Sequence, residues 1–141
     1  MRVPSGLFLA TLILPFVGSP QGSAQSPAYP DPRWMLIGES SVNEGIIRYL
    51  DTQTVVEERD GVFVAWTKTE FDEVQLIEHV IFDEERSRFE YNCGARTYRP
   101  LFTVWYLGSE QQHTVEFSAT SKPVLPESMV ETELDYICSD Y

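Results

Sequence analysis

The sequence predicts an α+β fold: a single antiparallel β-sheet of about six strands with a C-terminal α-helix packed on one face, tied by a disulfide. Three observations carry this expectation. From Arg33 onward, short β-branched and aromatic runs alternate with turn residues; near the C-terminus the apolar spacing becomes helical; and the two cysteines, Cys93 and Cys138, fall one in each kind of segment.

The N-terminal segment reads as an address. Arg2 supplies a positive start, Gly6 to Val17 is an apolar run, and Gly22-Ser23-Ala24 offers the small residues a signal peptidase requires. Residues 1–24 are therefore expected to be a cleaved signal peptide, with the mature chain starting near Gln25. The run is broken by Pro15 and falls short of the roughly 20 residues that span a bilayer. No cysteine lies near the cut to take a lipid, so the expected location is periplasmic or secreted. Residues 25–32, rich in Pro, Ser and Ala without periodicity, read as a linker, and 33–141 as one domain.

The formal net charge is −12, and the leader contributes one arginine and no acid, so the mature part is more acidic still. Nucleic acid and anionic lipid surfaces are bound mainly through Lys and Arg, and this balance argues against both. A basic protein or cationic ligand is favoured electrostatically, although the charge also serves solubility alone.

Within the domain, Trp34 to Ile37 and Ile46 to Leu50 read as strands separated by the turn material Gly38 to Gly45. Asp60-Gly61 between Val55-Val56 and Val62 to Thr67 signals a hairpin. Val62, Val64 and Trp66 fall on one face of that strand and Phe63, Ala65 and Thr67 on the other. Both faces are apolar, which marks a central strand, and Trp66 is expected to be a core anchor together with Leu134 of the helix. Val74 to Phe82 is read as one strand on its β-branched content. Ser87 to Cys93 alternates, with Phe89, Tyr91 and Cys93 on one face. Arg96 to Leu107 is a long aromatic strand with a bulge or edge at Pro100, and Thr114 to Ser118 returns after Gly108-Ser109.

Ser128 to Glu131 fits a capping box, and Val130, Leu134, Ile137 and Cys138 recur at helical spacing, predicting a helix from about Met129 to Cys138. In an oxidising compartment Cys93 and Cys138 read as one structural disulfide closing a loop of 45 residues. Two cysteines and a distant histidine do not make a zinc site, and the spacing is not that of a redox motif.

Candidates for chemistry are few. His79 and His113 stand in no metal-binding or nucleophile spacing. Glu57-Glu58 and Asp83-Glu84-Glu85 lack the glycine-spaced loop of a calcium site and read as solvated turns. Asp51 and Asp60 would form a catalytic pair only if the sheet brought them together. Phe102, Trp105 and Tyr106, with Trp66 and Phe63 on a neighbouring strand, could build a binding platform on a sheet face that a single helix leaves uncovered. No cofactor is implied.

Trp34 with Ile37-Gly38-Glu39-Ser40, Tyr49-Leu50-Asp51, Val62 to Trp66, Cys93 with Arg96-Thr97, Tyr106 with Gly108, and Pro126-Glu127-Ser128 leading to Cys138 together resemble the surface-adhesin protein E-like domain of Gram-negative bacteria, over roughly Arg33 to Cys138. The resemblance implies an antiparallel sheet joined by a disulfide to a C-terminal helix, and a surface or periplasmic protein, some relatives of which act as adhesins for host proteins. The family pattern has Gly where Glu127 stands and Trp near Ser121-Lys122. Two function classes follow: a non-enzymatic binding module of the envelope, working through a sheet face or edge with a protein partner or as a homodimer, or a small periplasmic hydrolase or accessory subunit using Asp51, Asp60, His79 or His113. Convergence of His79 with a carboxylate in a cleft would favour the second.

Overall fold

A computed structural model describes residues 33–40 and 45–140. The expected signal peptide and linker lie outside the described residues. The elements are β1 (Trp34–Glu39), β2 (Ile46–Asp51), β3 (Val56–Arg59), β4 (Val62–Ile77), β5 (Val80–Asn92), β6 (Thr97–Leu107), β7 (Glu110–Glu116), β8 (Lys122–Pro123) and α1 (Met129–Asp140). The sheet is antiparallel in the order β1-β2-β4-β5-β6-β7; β3 pairs with the first half of β4 and β8 with the start of β6. The expected six strands are thus the main path, with two short strands filling the ends that β2 and β7 leave uncovered.

The helix packs on one face because its apolar stripe matches the inward residues of the central strands. Leu134 and Ile137, both fully buried, meet Leu50, Phe63, Ala65, Phe89 and Tyr91. Burying a large aliphatic side chain of this kind contributes about 1.5–3 kcal/mol. The helix start is fixed locally: Glu131 N–H donates to Ser128 Oγ at 3.2 Å, and Glu131 Oε2 accepts from the backbone N–H of Glu127 at 2.7 Å. The capping box forms, with the glutamate reaching one residue further back than the usual reciprocal bond. Near its other end Cys138 bonds to Cys93, with Cα atoms 5.7 Å apart.

Two expectations are corrected. Val74 to Phe82 is not one strand: β4 ends at Ile77, Glu78-His79 turns the chain, and β5 begins at Val80. Both turn residues hold positive φ, 46° and 77°, a conformation usually left to Gly or Asn, so no turn residue announced it. Trp66 is not a core anchor beside Leu134. The set that faces the helix is Phe63 and Ala65, and strand alternation sends Trp66 to the opposite face, where it is half-buried.

A charged cluster lies in the helix–sheet interface. Glu133 is fully buried; Arg48 on β2 makes a two-pronged ion pair with it, the second prong at 3.2 Å, and Tyr91 Oη donates to Glu133 Oε2 at 2.7 Å. Burial raises the Tyr91 hydroxyl well above its ordinary pKa, and the Glu133 charge adds to this. Burial would weaken the Arg48 charge, but the attraction and hydrogen bonding of Glu133 outweigh it and hold the guanidinium charged.

Candidate binding face

The sheet face opposite the helix combines aromatic rings and cations. Cross-strand partners share a face, so the register places three rows there. One runs Trp66, Arg88, Phe102 and Glu116; the next runs Leu36, Tyr49, Lys68, Arg86, Val104 and Thr114; the third runs Ile47, Glu70, Glu84, Tyr106 and Gln111. Trp34, opposite Asp51 at the start of β1, completes the surface.

Cations sit over rings along the middle row. Lys68 Nζ lies 4.5 Å from the Tyr49 ring centre and 5.2 Å from that of Trp34, and the Arg86 guanidinium is 4.7 Å from Tyr106. Trp66 meets Phe102 edge to face at 5.9 Å. Each cation also has a carboxylate: Lys68–Glu70 at 2.6 Å, Arg86–Glu84 at 2.6 Å and Arg88–Glu58 at 3.5 Å. Burial, and then the nearby Glu70 charge, raise the Tyr49 pKa. At one end Glu90 binds Arg99 through both oxygens, at 3.0 and 2.9 Å, and Arg59 at 3.1 Å. Its burial works to raise its pKa, but the two arginines prevail and hold the carboxyl below its ordinary value.

A shallow cavity of about 220 Å³ opens on this face between Trp34, Trp66 and Tyr106, with Arg33, Asp51, Thr54, Arg86 and Val104 in its lining. Its volume suits one side chain or one ring of a partner, below the range of dedicated small-molecule sites. Because aromatic rings and charged groups alternate, the face is amphipathic and not plainly apolar.

The sequence candidates disperse. Asp51 is fully buried, and its carboxylate accepts from Arg33 Nε at 2.7 Å and from the Gln53 N–H at 3.2 Å, which ties down the β2 end. Asp60 is exposed in the turn with Gly61. His79 is at the β4–β5 turn, and His113 on β7 stacks on Trp105 at 5.7 Å. Asp83 and Glu85 are taken up internally, Asp83 accepting from the Gly108 N–H and Glu85 from Trp105 Nε1 and Ser87 Oγ. Glu58 pairs with Arg88, and Glu57 accepts from the Gly61 N–H at 2.9 Å. Among the described residues no group of three or more His, Cys, Asp or Glu could hold a metal ion. The aromatic platform divides: Trp66, Phe102 and Tyr106 share the helix-free face, whereas Phe63 belongs to the helix-side core and Trp105 stacks on Phe82 beside it at 5.0 Å.

Trp34, Tyr49, Lys68 and Arg86 were missed as site residues. Their signal is the alternation Trp66, Lys68, Glu70 on β4 and Glu84, Arg86, Arg88 on β5, which places the cations on the strand face that Trp66 shares.

A comparison with known proteins gives the same architecture. A model of the family described as surface-adhesin protein E matches residues 34–139. Two solved structures of Haemophilus influenzae protein E align over 82% of this chain, one over 94% of its own length at a TM-score of 0.59 and 11% identity, the other over 90% at 0.60 and 14%. A structure of protein E from non-typeable Haemophilus influenzae aligns over 82% of this chain and 81% of its own at 0.57 and 13% identity. At such identities these structures show a shared fold. No curated protein matches the sequence. Among the described residues no helix is long and apolar enough to cross a membrane. The match across nearly all of the domain, with the sheet, the C-terminal helix and the Cys93–Cys138 bridge in place, makes this chain a member of the surface-adhesin protein E family.

Proposed function

We propose that the chain is an exported, non-enzymatic binding protein of the bacterial envelope that holds a protein partner on the helix-free face of its sheet. The observation that supports this reading is the row of rings and cations formed by Trp34, Tyr49, Lys68, Arg86 and Tyr106 on a face that no helix among the described residues covers. Aromatic and arginine side chains dominate the energetic centres of interfaces, and cations already aligned over rings lose little freedom on binding. The family's adhesins point to proteins outside the cell as partners. The dispersal of Asp51, Asp60, His79 and His113 removes the constellation that the hydrolase reading relied on.

Export follows from residues 1–24, so the purified exported protein should begin near Gln25 by mass spectrometry; an intact Met1 would contradict cleavage. Binding is tested by comparing capture from envelope extract and from a set of extracellular matrix proteins by the wild type and by a Trp66→Ala, Lys68→Ala variant. Loss of capture with an unchanged melting temperature supports the reading, and equal capture by both contradicts it.

A further inference from the structure

The β4–β5 hairpin reaches beyond the sheet. The last partner of β4 on β2 is Ile46 opposite Phe71, and the last partner of β5 on β6 is Tyr106 opposite Glu84, so among the described residues the strand pairs of 72–83 are with each other. The base is fixed by Asp72 N–H donating to Gly45 O and by Asp83 accepting from the Gly108 N–H, both at 2.9 Å. This projecting arm carries exposed apolar side chains at its end: Val74 is 58% exposed, Leu76 69%, and Ile77 and Ile81 45% each. They are half of the large exposed apolar residues described, gathered within eight positions, which is a patch and not scatter. The chain from Thr69 to Glu85 contains seven acids and no lysine or arginine.

We propose that this tip is a docking finger for a second protein that offers an apolar groove rimmed by lysine and arginine. Among the described residues no further strand covers these apolar side chains, and the exposed Asp72, Glu73 and Glu78 add an acidic collar to the tip. That collar selects the occupant by charge. An anionic bilayer surface is repelled by it. A second copy would bring two such collars together, with like charges opposed. A basic-rimmed groove gains from both the apolar tip and the collar. The Glu78-His79 turn holds both residues at positive φ where Asn-Gly would be relaxed, and so keeps a charged side chain at the apex at some expense of backbone strain. This surface is distinct from the helix-free face, and its failure would leave that reading untouched.

The test places a photoreactive residue at the tip of the full-length protein in exporting cells, as Leu76→p-benzoylphenylalanine, with Leu125→p-benzoylphenylalanine, ahead of the helix and outside the sheet strands, as a control of similar exposure. The expected result is a protein adduct from position 76 alone, whose cross-linked peptide is apolar and flanked by Lys or Arg. Its yield should fall by about threefold or more in Glu73→Gln, Glu78→Gln, and likewise at raised salt. Glu78→Asn with His79→Gly, which relaxes the turn and so is not open to the objection of misfolding, should also lower the yield. An adduct to a second copy, an adduct to lipid alone, a peptide without basic flanks, equal labelling from position 125, or no adduct overturns the proposal.

Discussion

Tyr91 Oη donates to Glu133 Oε2 at 2.7 Å in the helix–sheet interface, and the same carboxylate is gripped by Arg48. A carboxylate and a guanidinium so placed have surrendered water and depend on each other. The cluster therefore orients the helix and at the same time makes the interface intolerant of single changes.

Glu133→Leu, which strands Arg48, should lower stability by about 3–5 kcal/mol. The double change Arg48→Met, Glu133→Leu should restore most of that loss, because it removes both charges and keeps apolar volume. Urea unfolding of the two singles and the double measures the coupling; additive losses would show that the pair does not act as a unit.

Reduction of the Cys93–Cys138 bridge should lower stability by about 4 kcal/mol, the chain-entropy value for a loop of 45 residues. Hydrogen exchange should show α1 opening first, since the helix is too short to persist undocked. On a denaturing gel the protein should run as a monomer under oxidising and reducing conditions alike; a disulfide-linked dimer would contradict the intramolecular bond.

Glu127 adopts φ 60° just before Ser128, the residue that caps the helix. A left-handed conformation disfavours a side chain by roughly 1–2 kcal/mol, partly offset by the greater freedom glycine loses on folding. Glu127→Gly keeps the backbone N–H that bonds to Glu131, so it should stabilise the protein by about 0.5–1 kcal/mol. A lower melting temperature would show that the Glu127 side chain makes a stabilising contact of its own.

Arg99 and Arg59 hold Glu90 below the ordinary carboxylate value of 4.5. The unfolded chain then takes up the proton first as pH falls, so the contribution of Glu90 is complete above 4.5 and fades as pH drops through its lower folded value. Melting temperatures recorded down to about pH 3 should fall less steeply for Glu90→Gln than for the wild type. An identical acid limb in both proteins would show that Glu90 is not held by its arginines.

The features the sequence displayed were those with local causes. Asp60-Gly61 marked its hairpin, Ser128 and Glu131 marked the helix start, and the alternation of Phe89, Tyr91 and Cys93 placed the second half of the bridge. What stayed hidden depended on distant partners or on strain. Glu133 interrupts the apolar stripe of the helix, and Arg48 and Tyr91, 85 and 42 residues away, make its burial tolerable. Glu78-His79 turns without Gly or Asn, so Val74 to Phe82 looked continuous. The face of Trp66 was set by which side of β4 the helix chose, a tertiary decision that alternation leaves open. The aromatic–cation face was half legible: its rings stood out, while Lys68 and Arg86 joined them only once β2, β4, β5 and β6 were in register.

The two lysines of the chain report on the two surfaces: Lys68 lies on the helix-free face and Lys122 borders the groove beside the helix. Peptide-resolved acylation of both amines, with and without the protein partner recovered by capture, tests the central claim most directly. Binding through the helix-free face predicts that the partner slows modification of Lys68 several-fold while Lys122 reacts at its free rate. Protection of Lys122 with Lys68 unchanged would contradict it.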